Sequence, residues 1–311
     1  MAMARTTRAL LAVGVLGAAL GGLLYSRYLH DIERARERIA TGSRIADTPC
    51  GPIEYAVTGD GPPLLIVHGA GGGFDQGIDF GRSLAASGFR IIAMSRFGYL
   101  RTPLPNDASA AAQADAHACL LDALNIRRAA IIGASAGAPS SMQFALRHPG
   151  RITALVLLVP VGVCIGAVFL FETVLKSDFL FWAATSFARE TMVRAIIATP
   201  PAVVANAGAD EQARIDEVLA HTLPVSPRRL GLTNDARVIA SLQRYELERI
   251  AVPTLAISLQ DDLYGTFAGA RYTVEHIPRA RFIGYPSGGH LWVGHQKEVV
   301  AEIVTFLKSN R

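Results

Sequence analysis

Short, continuous apolar segments alternate with segments of helical pattern along most of this chain. This alternation limits the possible fold more than any other feature. The segment 64–67, for example, is apolar at every position, which is typical of a strand buried on both faces of a sheet. Similar runs occupy residues 90–94, 129–132, 154–159, 254–258 and 281–285. Helical segments, such as 113–124 and 141–147, lie between them. The sequence therefore predicts an α/β fold, a largely parallel sheet with helices on both faces.

The alternation starts and stops at identifiable places. Residues 53–57 alternate between apolar and polar and end at Gly59-Asp60-Gly61, a pattern that predicts a strand followed by a hairpin turn. From 163 to 245 no strand-like run appears, and the helical pattern is interrupted by four prolines, Pro200, Pro201, Pro224 and Pro227. Such a stretch is too long for an ordinary loop. We expect a core formed by 46–162 and 246–311, with 163–245 inserted as a helical cap.

The aromatic residues of this cap allow two interpretations. They either line an apolar substrate pocket or form the core of the cap itself, and the sequence favours the second. The residues in question are Phe169, Phe171, Phe179, Phe181 and Trp182.

Residues 1–45 form a separate N-terminal segment. An uncharged apolar run, 9–25, lies between Arg8 and Arg27 and is at the short end of what spans a bilayer. We expect a membrane anchor; a cleaved signal peptide, which would leave a secreted or periplasmic protein, and a soluble apolar helix are the alternatives. The arginines on both sides leave the orientation open. Residues 26–45 are then expected to form a charged juxtamembrane helix, and the charged run 31–38 is expected to be a solvated face of it.

Composition excludes several classes of function. The net charge is only +4, and no basic stripe with interleaved aromatic residues is present, so we expect no nucleic-acid partner. The cysteines, Cys50, Cys119 and Cys164, are odd in number and form no C-x-x-C pair. This pattern implies neither a disulfide framework nor a zinc site, and Cys119 and Cys164 are expected to be buried thiols. We expect no metal or other cofactor. The oligomeric state is not encoded in any motif.

One motif carries nucleophilic chemistry. The stretch IIGASAGAP (131–139) contains Gly-x-Ser-x-Gly, with a buried strand before it and a helix after it. Both variable positions are alanine, and Pro139 stands where the first turn of a helix needs no N–H. This context predicts a sharp strand-to-helix turn that presents the Ser135 hydroxyl at the edge of the sheet.

A serine hydroxyl needs a base, and the base needs an orienting acid. In this kind of sheet both follow the serine in the chain, each at the end of a late strand. The strand 254–258 leads to Asp261 and Asp262, of which Asp262 has the expected spacing and Asp261 is expected to hold the loop. After the last strand, His290 is the base and His295 its weaker rival. Glu172, the first carboxylate after residue 159, is disfavoured as the acid.

An oxyanion formed by attack of Ser135 requires two backbone N–H donors. Ala136 is expected to supply one. The other is expected from the glycine-rich loop 68–74, with Ala70 first and Gly71 second, while His68 is expected to be structural. The same loop lacks the Gly-Lys-Ser/Thr and G-x-G-x-x-G patterns of phosphate-binding loops.

Taken together, these motifs resemble those of the α/β-hydrolase fold superfamily. The likeness covers residues 50–311. It rests on HGAGGGFDQG (68–77), SRFGYLRTP (95–103), GASAGAP (133–139), LQDD (259–262) and YPSGGH (285–290). It implies an eight-stranded, mostly parallel sheet with a helical cap, and Ser135, Asp262 and His290 as a triad. Relatives often carry Asp where this chain has Ser95 and Gly where it has Leu259. A serine at the elbow also argues against the epoxide hydrolases and haloalkane dehalogenases of this fold, which use Asp there.

Three functions remain open. The first is hydrolysis of a small apolar or ester-type substrate through an acyl-enzyme. The second is carbon–carbon bond hydrolysis of an acidic dienoate, for which cationic residues of the cap would be needed. The candidates for that contact are Arg189, Arg194, Arg228 and Arg229, although solvent-facing arginines are the commoner explanation. The third is a non-catalytic, membrane-tethered binding module on a hydrolase fold.

Overall fold

The computed structural model describes residues 2–161 and 175–310 and contains an eight-stranded sheet. Its strands are β1 (Arg44–Thr48), β2 (Gly51–Thr58), β3 (Pro63–Val67), β4 (Arg90–Met94), β5 (Ala129–Ala134), β6 (Ile152–Leu158), β7 (Thr254–Leu259) and β8 (Ala280–Tyr285). They are ordered β1-β2-β4-β3-β5-β6-β7-β8. Strand β2 is antiparallel to both of its neighbours, and all other pairs are parallel. The predicted α/β class, with a mostly parallel eight-stranded sheet, is confirmed.

Helices cover both faces of this sheet. Outside the cap the helices that cover it are α2 (Phe74–Ala86), α3 (Ala110–Ala123), α4 (Ala138–Arg147), α10 (Thr266–His276) and α11 (Gln296–Ser309). Helix α1 (Ala2–Ala40) precedes β1 and packs on the cap instead. Successive side chains of a strand point to opposite faces. Leu65 and Val67 of β3 therefore pack with α3 and α4, while Leu64 and Ile66 pack with α2 and α11. Burial on both faces explains why the strands read as continuous apolar runs.

The predicted hairpin at Gly59-Asp60-Gly61 is wrong. A turn does follow β2, but β3 does not pair with β2, because β4 lies between them in the sheet. Gly59 and Gly61 have positive φ and lie so close to the backbone of Gly88 and Phe89 that a Cβ would clash with it. The glycines thus mark a close backbone crossing rather than a hairpin.

The described part of the cap is helical. Its helices are α5 (Asp178–Phe187), α6 (Arg189–Ile196), α7 (Pro201–Ala205), α8 (Ala209–His221) and α9 (Arg229–Ala240). Phe181 and Trp182 are buried in the core of the cap, as favoured from the sequence, whereas Phe179 is 42% exposed. Phe169 and Phe171 lie outside the described residues.

Helix α1 continues without a break through the apolar and charged segments. Its C-terminal part packs on the cap, where Ile32 and Ala35 are buried beside Trp182. The Trp182 indole N–H donates to Asp31 at 2.8 Å, and the Arg38 guanidinium lies 3.7 Å from Asp75 of the core. The expectation of a wholly solvated charged face is therefore wrong for Asp31 and Arg38, which join the helix to the body of the protein.

Residue 11 and residues 14–23, in the apolar part of α1, are exposed. Leu16, Leu20 and Leu23 are each more than half accessible to solvent. Among the residues described, however, no helix combines the length and apolar character that crossing a bilayer requires, so the predicted transmembrane span is not supported.

The cysteine pattern was misread. Cys50, in the turn between β1 and β2, forms a disulfide with Cys119 of α3, their Cα atoms 6.1 Å apart. Cys119 is therefore not a free thiol. The two residues are 69 positions apart in the chain, so only the packing of α3 beneath β1 brings them together. Cys164 lies outside the described residues.

Candidate active site

The turn at Ser135 is a strained strand-to-helix elbow. Strand β5 ends at Ala134, and Ser135 has φ +47°, in the left-handed region that a non-glycine residue rarely adopts. Close packing holds this conformation. A Cβ on Gly133 would lie 2.5 Å from Ser141 Oγ, and one on Gly137 would lie 2.4 Å from the Val67 carbonyl oxygen. Only glycine therefore lets α4 pack this closely against β5 and β3, which lifts Ser135 above the edge of the sheet.

The structure brings Ser135, His290 and Asp262 into one hydrogen-bonded line. His290 Nε2 lies 2.9 Å from Ser135 Oγ, and His290 Nδ1 lies 2.7 Å from Asp262 Oδ2. A carboxylate only accepts, so Nδ1 carries the proton and Nε2 is left to accept the serine proton. The Asp262 side chain is fully buried, and His290 is buried beside it. This is the geometry of a serine activated by an oriented base.

The two neighbouring acids have separate contacts. Besides His290, the Asp262 carboxylate accepts from the Thr266 hydroxyl and, at 2.9 Å, from the Tyr264 amide. Asp261 instead accepts from the loop that carries the histidine, through the Ser287 hydroxyl and the amides of Gly288 and Gly289. Asp262 thus orients the imidazole, whereas Asp261 holds the shape of its loop.

The rival site residues lie elsewhere. His295 stacks on Tyr285, with ring centroids 4.4 Å apart, just before α11 begins. Glu172 lies outside the described residues. Leu259, where relatives often have glycine, is fully buried. It lies against the loop of His290, where a Cβ on Gly288 would be 2.6 Å from Leu259 Cδ2.

The loop from His68 to Gly73, here called the oxyanion loop, lies against the nucleophile. A Cβ on Gly69 would lie only 3.2 Å from Ser135 Cβ. Within the described chain the Ala70 N–H has no hydrogen-bond acceptor, while the Gly71 N–H donates to the Tyr99 hydroxyl at 3.3 Å. Ala70 therefore has the free amide that an oxyanion donor needs, and Gly71 does not. Ala136 follows Ser135 at the start of a short 3-10 helix, where first-turn amides lack intrahelical partners.

His68 belongs to the support of this loop. Its Nδ1 lies 2.7 Å from the Gly69 carbonyl oxygen, and its Nε2 accepts from the Arg96 amide at 3.0 Å. Burial, together with the positive charge of Arg96, holds the pKa of His68 well below its usual range. A neutral imidazole that donates through one nitrogen and accepts through the other fits a structural role.

Two positions near the site were not found from the sequence. The Tyr264 ring packs edge-on against His290, centroids 4.9 Å apart, and its hydroxyl donates to the Ala195 carbonyl at the end of α6. Glu54, fully buried on β2, accepts from Ser95, which in turn accepts from the Phe74 amide at the start of α2. The alternating strand pattern gave no signal for a carboxylate buried beside Ser95.

One cluster outside the site has residue types that ligate metals. Asp79, Glu217 and His221 bring their ligand atoms within 4.8 Å of one another. However, His221 meets Asp79 through Nδ1 and Glu217 through Nε2, on opposite sides of the ring. That arrangement suits a histidine between two carboxylates better than a common ligand position.

Comparison with known proteins agrees with this architecture. Residues 62–196 match the family described as having the alpha/beta hydrolase fold, a match that contains Ser135 and the oxyanion loop but ends before Asp262 and His290. An alpha/beta hydrolase fold protein from Nakamurella multipartita superimposes with a TM-score of 0.72 at 29% identity, covering 86% of this chain and all of the other.

Curated relatives match over a shorter stretch. An uncharacterized hydrolase of Bacillus subtilis is 39% identical over 108 residues, which are 34% of this chain and 37% of the relative. A 2-hydroxymuconate semialdehyde hydrolase of Pseudomonas putida is 37% identical over 108 residues, 34% of this chain and 38% of the relative. The chain thus spans well under half the length of the curated relatives it matches. Sheet order, the family match over 62–196 and the structural similarity over 86% of the chain together show that the chain has the α/β-hydrolase fold.

Proposed function

We propose that this protein, which has the α/β-hydrolase fold, is a serine hydrolase that cleaves carboxylic esters or related acyl bonds. The observation that carries the proposal is the hydrogen-bonded line from Ser135 through His290 to Asp262, beside the free Ala70 amide. His290 takes the Ser135 proton as Oγ attacks the substrate carbonyl carbon. The resulting oxyanion is stabilised by the amides of Ala70 and Ala136. The alcohol leaves with the proton from His290. Water then attacks the acyl-enzyme carbonyl and gives a proton to His290, which returns it to Ser135 Oγ as the acid leaves.

Replacing Ser135 tests this proposal. The Ser135→Ala variant should lose hydrolysis of p-nitrophenyl esters and labelling by a fluorophosphonate while keeping its thermal melt. The Ser83→Ala variant, which alters an exposed serine on α2, is the matched control and should keep both activities. If Ser135→Ala hydrolysed esters at the wild-type rate, the proposal would fail. A wild-type protein that stayed unlabelled would instead favour a non-catalytic binding module.

Carbon–carbon bond hydrolysis is the second candidate, because a matching relative is a 2-hydroxymuconate semialdehyde hydrolase. The acidic substrate of such a reaction would need a positively charged side chain in the site. Arg228 is fully buried and paired with Asp75, and Arg189 is paired with Asp216. Arg194 and Arg229 are exposed. These four arginines therefore favour the ester interpretation. Assaying a dienoate beside short-chain esters with the same preparation discriminates the two reactions.

We also propose that the protein contacts a lipid surface. The support is a set of exposed apolar side chains, namely leucines of α1 and Phe187 of α5, which is 64% exposed. Phe187 packs on Trp182, which in turn packs against Tyr28 of α1. Arg27 and Arg36 on α1 are also more than 60% exposed and would attract anionic headgroups. Sedimentation with phosphatidylglycerol vesicles should carry the protein down, and Phe187→Ser should weaken this. Equal recovery in the supernatant with and without vesicles would contradict the proposal.

A further inference from the structure

Two buried arginine–aspartate pairs connect the core to the cap at the oxyanion loop. Arg96, which follows β4 in the core, binds Asp235 of α9 through its two terminal guanidinium nitrogens, at 2.6 and 2.7 Å. Arg228, just before α9, binds Asp75 of α2 at 2.6 and 3.2 Å. All four side chains are almost completely buried. The cap therefore supplies the acid of one pair and the base of the other.

Each arginine also holds carbonyl groups of the oxyanion loop. Arg96 donates to the His68 oxygen at 2.9 Å and to the Gly69 oxygen at 3.2 Å. Arg228 donates to the Gly72 oxygen at 2.6 Å. The two arginines thus hold different peptides of the same loop.

The contact with Gly69 determines where the Ala70 amide points. In a trans peptide the carbonyl and the next N–H point in opposite directions. Since Arg96 and His68 both engage the Gly69 oxygen, the Ala70 N–H is directed to the other side. Gly69 has no Cβ to resist rotation of this peptide, so the carbonyl contacts are what fix its plane.

We propose that Arg96 is a positioning residue that holds the Gly69–Ala70 peptide in the orientation needed to bind the oxyanion, and that Asp235 of the cap keeps Arg96 in place. The inference rests on the proposed acyl transfer. The cap then contributes to catalysis as well as to substrate selection. When α9 is seated, Asp235 holds the guanidinium under the loop, and the Tyr99 hydroxyl donates to the same carboxylate. When α9 is displaced, Arg96 loses its partner, and the Gly69 oxygen keeps only its contacts with His68 and with the Gly72 amide, which hold the peptide less firmly.

The second pair provides a matched control for a merely structural role. Asp75→Asn and Asp235→Asn each neutralise the acid of a buried pair between core and cap, but only Asp235 holds the arginine that contacts the Gly69 oxygen. We expect Asp235→Asn to lower kcat for a p-nitrophenyl ester by about 10²-fold or more, with KM little changed, as when one oxyanion donor is lost. Affinity for an alkyl boronate, which forms a tetrahedral adduct on the serine, should fall by a similar factor. Asp75→Asn should leave kcat within about 10-fold of wild type at a comparable loss of melting temperature.

Equal falls in kcat for the two variants, or a wild-type kcat in Asp235→Asn, would overturn the proposal. If Asp235→Asn does not fold, Arg96→Lys keeps a cation beside Asp235 but lacks the planar fork that also donates to the His68 and Gly69 oxygens. It should lower kcat and boronate affinity together, and no change in either would equally refute the inference. The Ser135→Ala result distinguishes failure of the proposed function from failure of this inference. If that variant is active, the proposed function fails. If it is inactive while Asp235→Asn is fully active, only this inference fails.

Discussion

At the scale of single residues, the neighbouring acids Asp261 and Asp262 have different contacts and should have different consequences. Asp262→Asn replaces the acceptor-only carboxylate with an amide that can donate to His290 Nδ1 and so favour the wrong tautomer, so kcat should fall by about 10³- to 10⁴-fold. Asp261→Asn leaves that contact intact and weakens three hydrogen bonds to the histidine loop. It should cost about 1–2 kcal/mol of stability and about 10-fold in kcat. Ester kinetics and thermal melts of both variants measure these effects. A larger loss of kcat in Asp261→Asn than in Asp262→Asn would show that Asp261 is the acid of the triad.

His117 should make stability depend on pH. It is fully buried on α3 beside Ser140, and burial, with a smaller contribution from Arg96, lowers its pKa to about 3. Below pH about 6.5 this histidine binds a proton in the unfolded chain but remains neutral in the folded protein. The free energy of unfolding therefore falls as the pH falls, by about 1.4 kcal/mol per pH unit until the pKa of the folded state is reached. Between pH 7.5 and 5, this residue alone should cost about 2 kcal/mol.

Urea denaturation of wild type and His117→Gln isolates that contribution from those of His68 and other groups. The variant should be less stable at pH 7.5, because its contacts with Ser140 and Met94 are altered. At pH 5 the difference in free energy of unfolding between wild type and variant should be smaller by about 2 kcal/mol, since the variant has no histidine here to protonate. An unchanged difference at the two pH values would show that His117 titrates normally in the folded state.

At the scale of structural elements, the elbow depends on the close approach of α4 to β3. Gly137→Ala places a Cβ 2.4 Å from the Val67 oxygen and 2.7 Å from the His68 oxygen, both of them backbone atoms that cannot move independently. We expect a loss of about 2–4 kcal/mol and a large fall in activity. Gly150→Ala is the control, because nothing lies within 4 Å of its new Cβ. Urea denaturation should show a near wild-type Gly150→Ala, and a stable, active Gly137→Ala would refute the packing argument.

The elements that the sequence predicted well are those whose environment is uniform. Strands β3, β4 and β7 are mostly apolar because helices cover both their faces, and their predicted bounds differ from the observed ones by at most one residue. Strand β1 was not predicted individually. It is short, largely exposed and at the edge of the sheet, so its composition resembles that of a loop. The order of motifs placed Ser135, Asp262 and His290 at strand ends, where parallel strands bring such residues to one edge of a sheet.

At the scale of the whole molecule, sequence reasoning could not determine which distant segments meet. Arg228 reads as one of several solvent-facing arginines of the cap, but it is completely buried on Asp75. Asp31 reads as part of a solvated helix, but it accepts from Trp182, far away in the chain. Pair formation across such distances depends on how cap, core and α1 are seated together. Charge patterns within a single helix contain no information on that arrangement.

The disulfide between Cys50 and Cys119 is a long-range contact of this kind, and it should stabilise the whole fold. It ties the edge of the sheet to α3 across 69 positions of the chain and so restricts the unfolded state. Cys50→Ser/Cys119→Ser should lower the free energy of unfolding by about 2–4 kcal/mol. Dithiothreitol should lower the stability of wild type by a similar amount and leave the double variant unchanged. After unfolding without reductant, alkylation should label only one of the three cysteines of wild type, and labelling of all three would show that the bond had not formed.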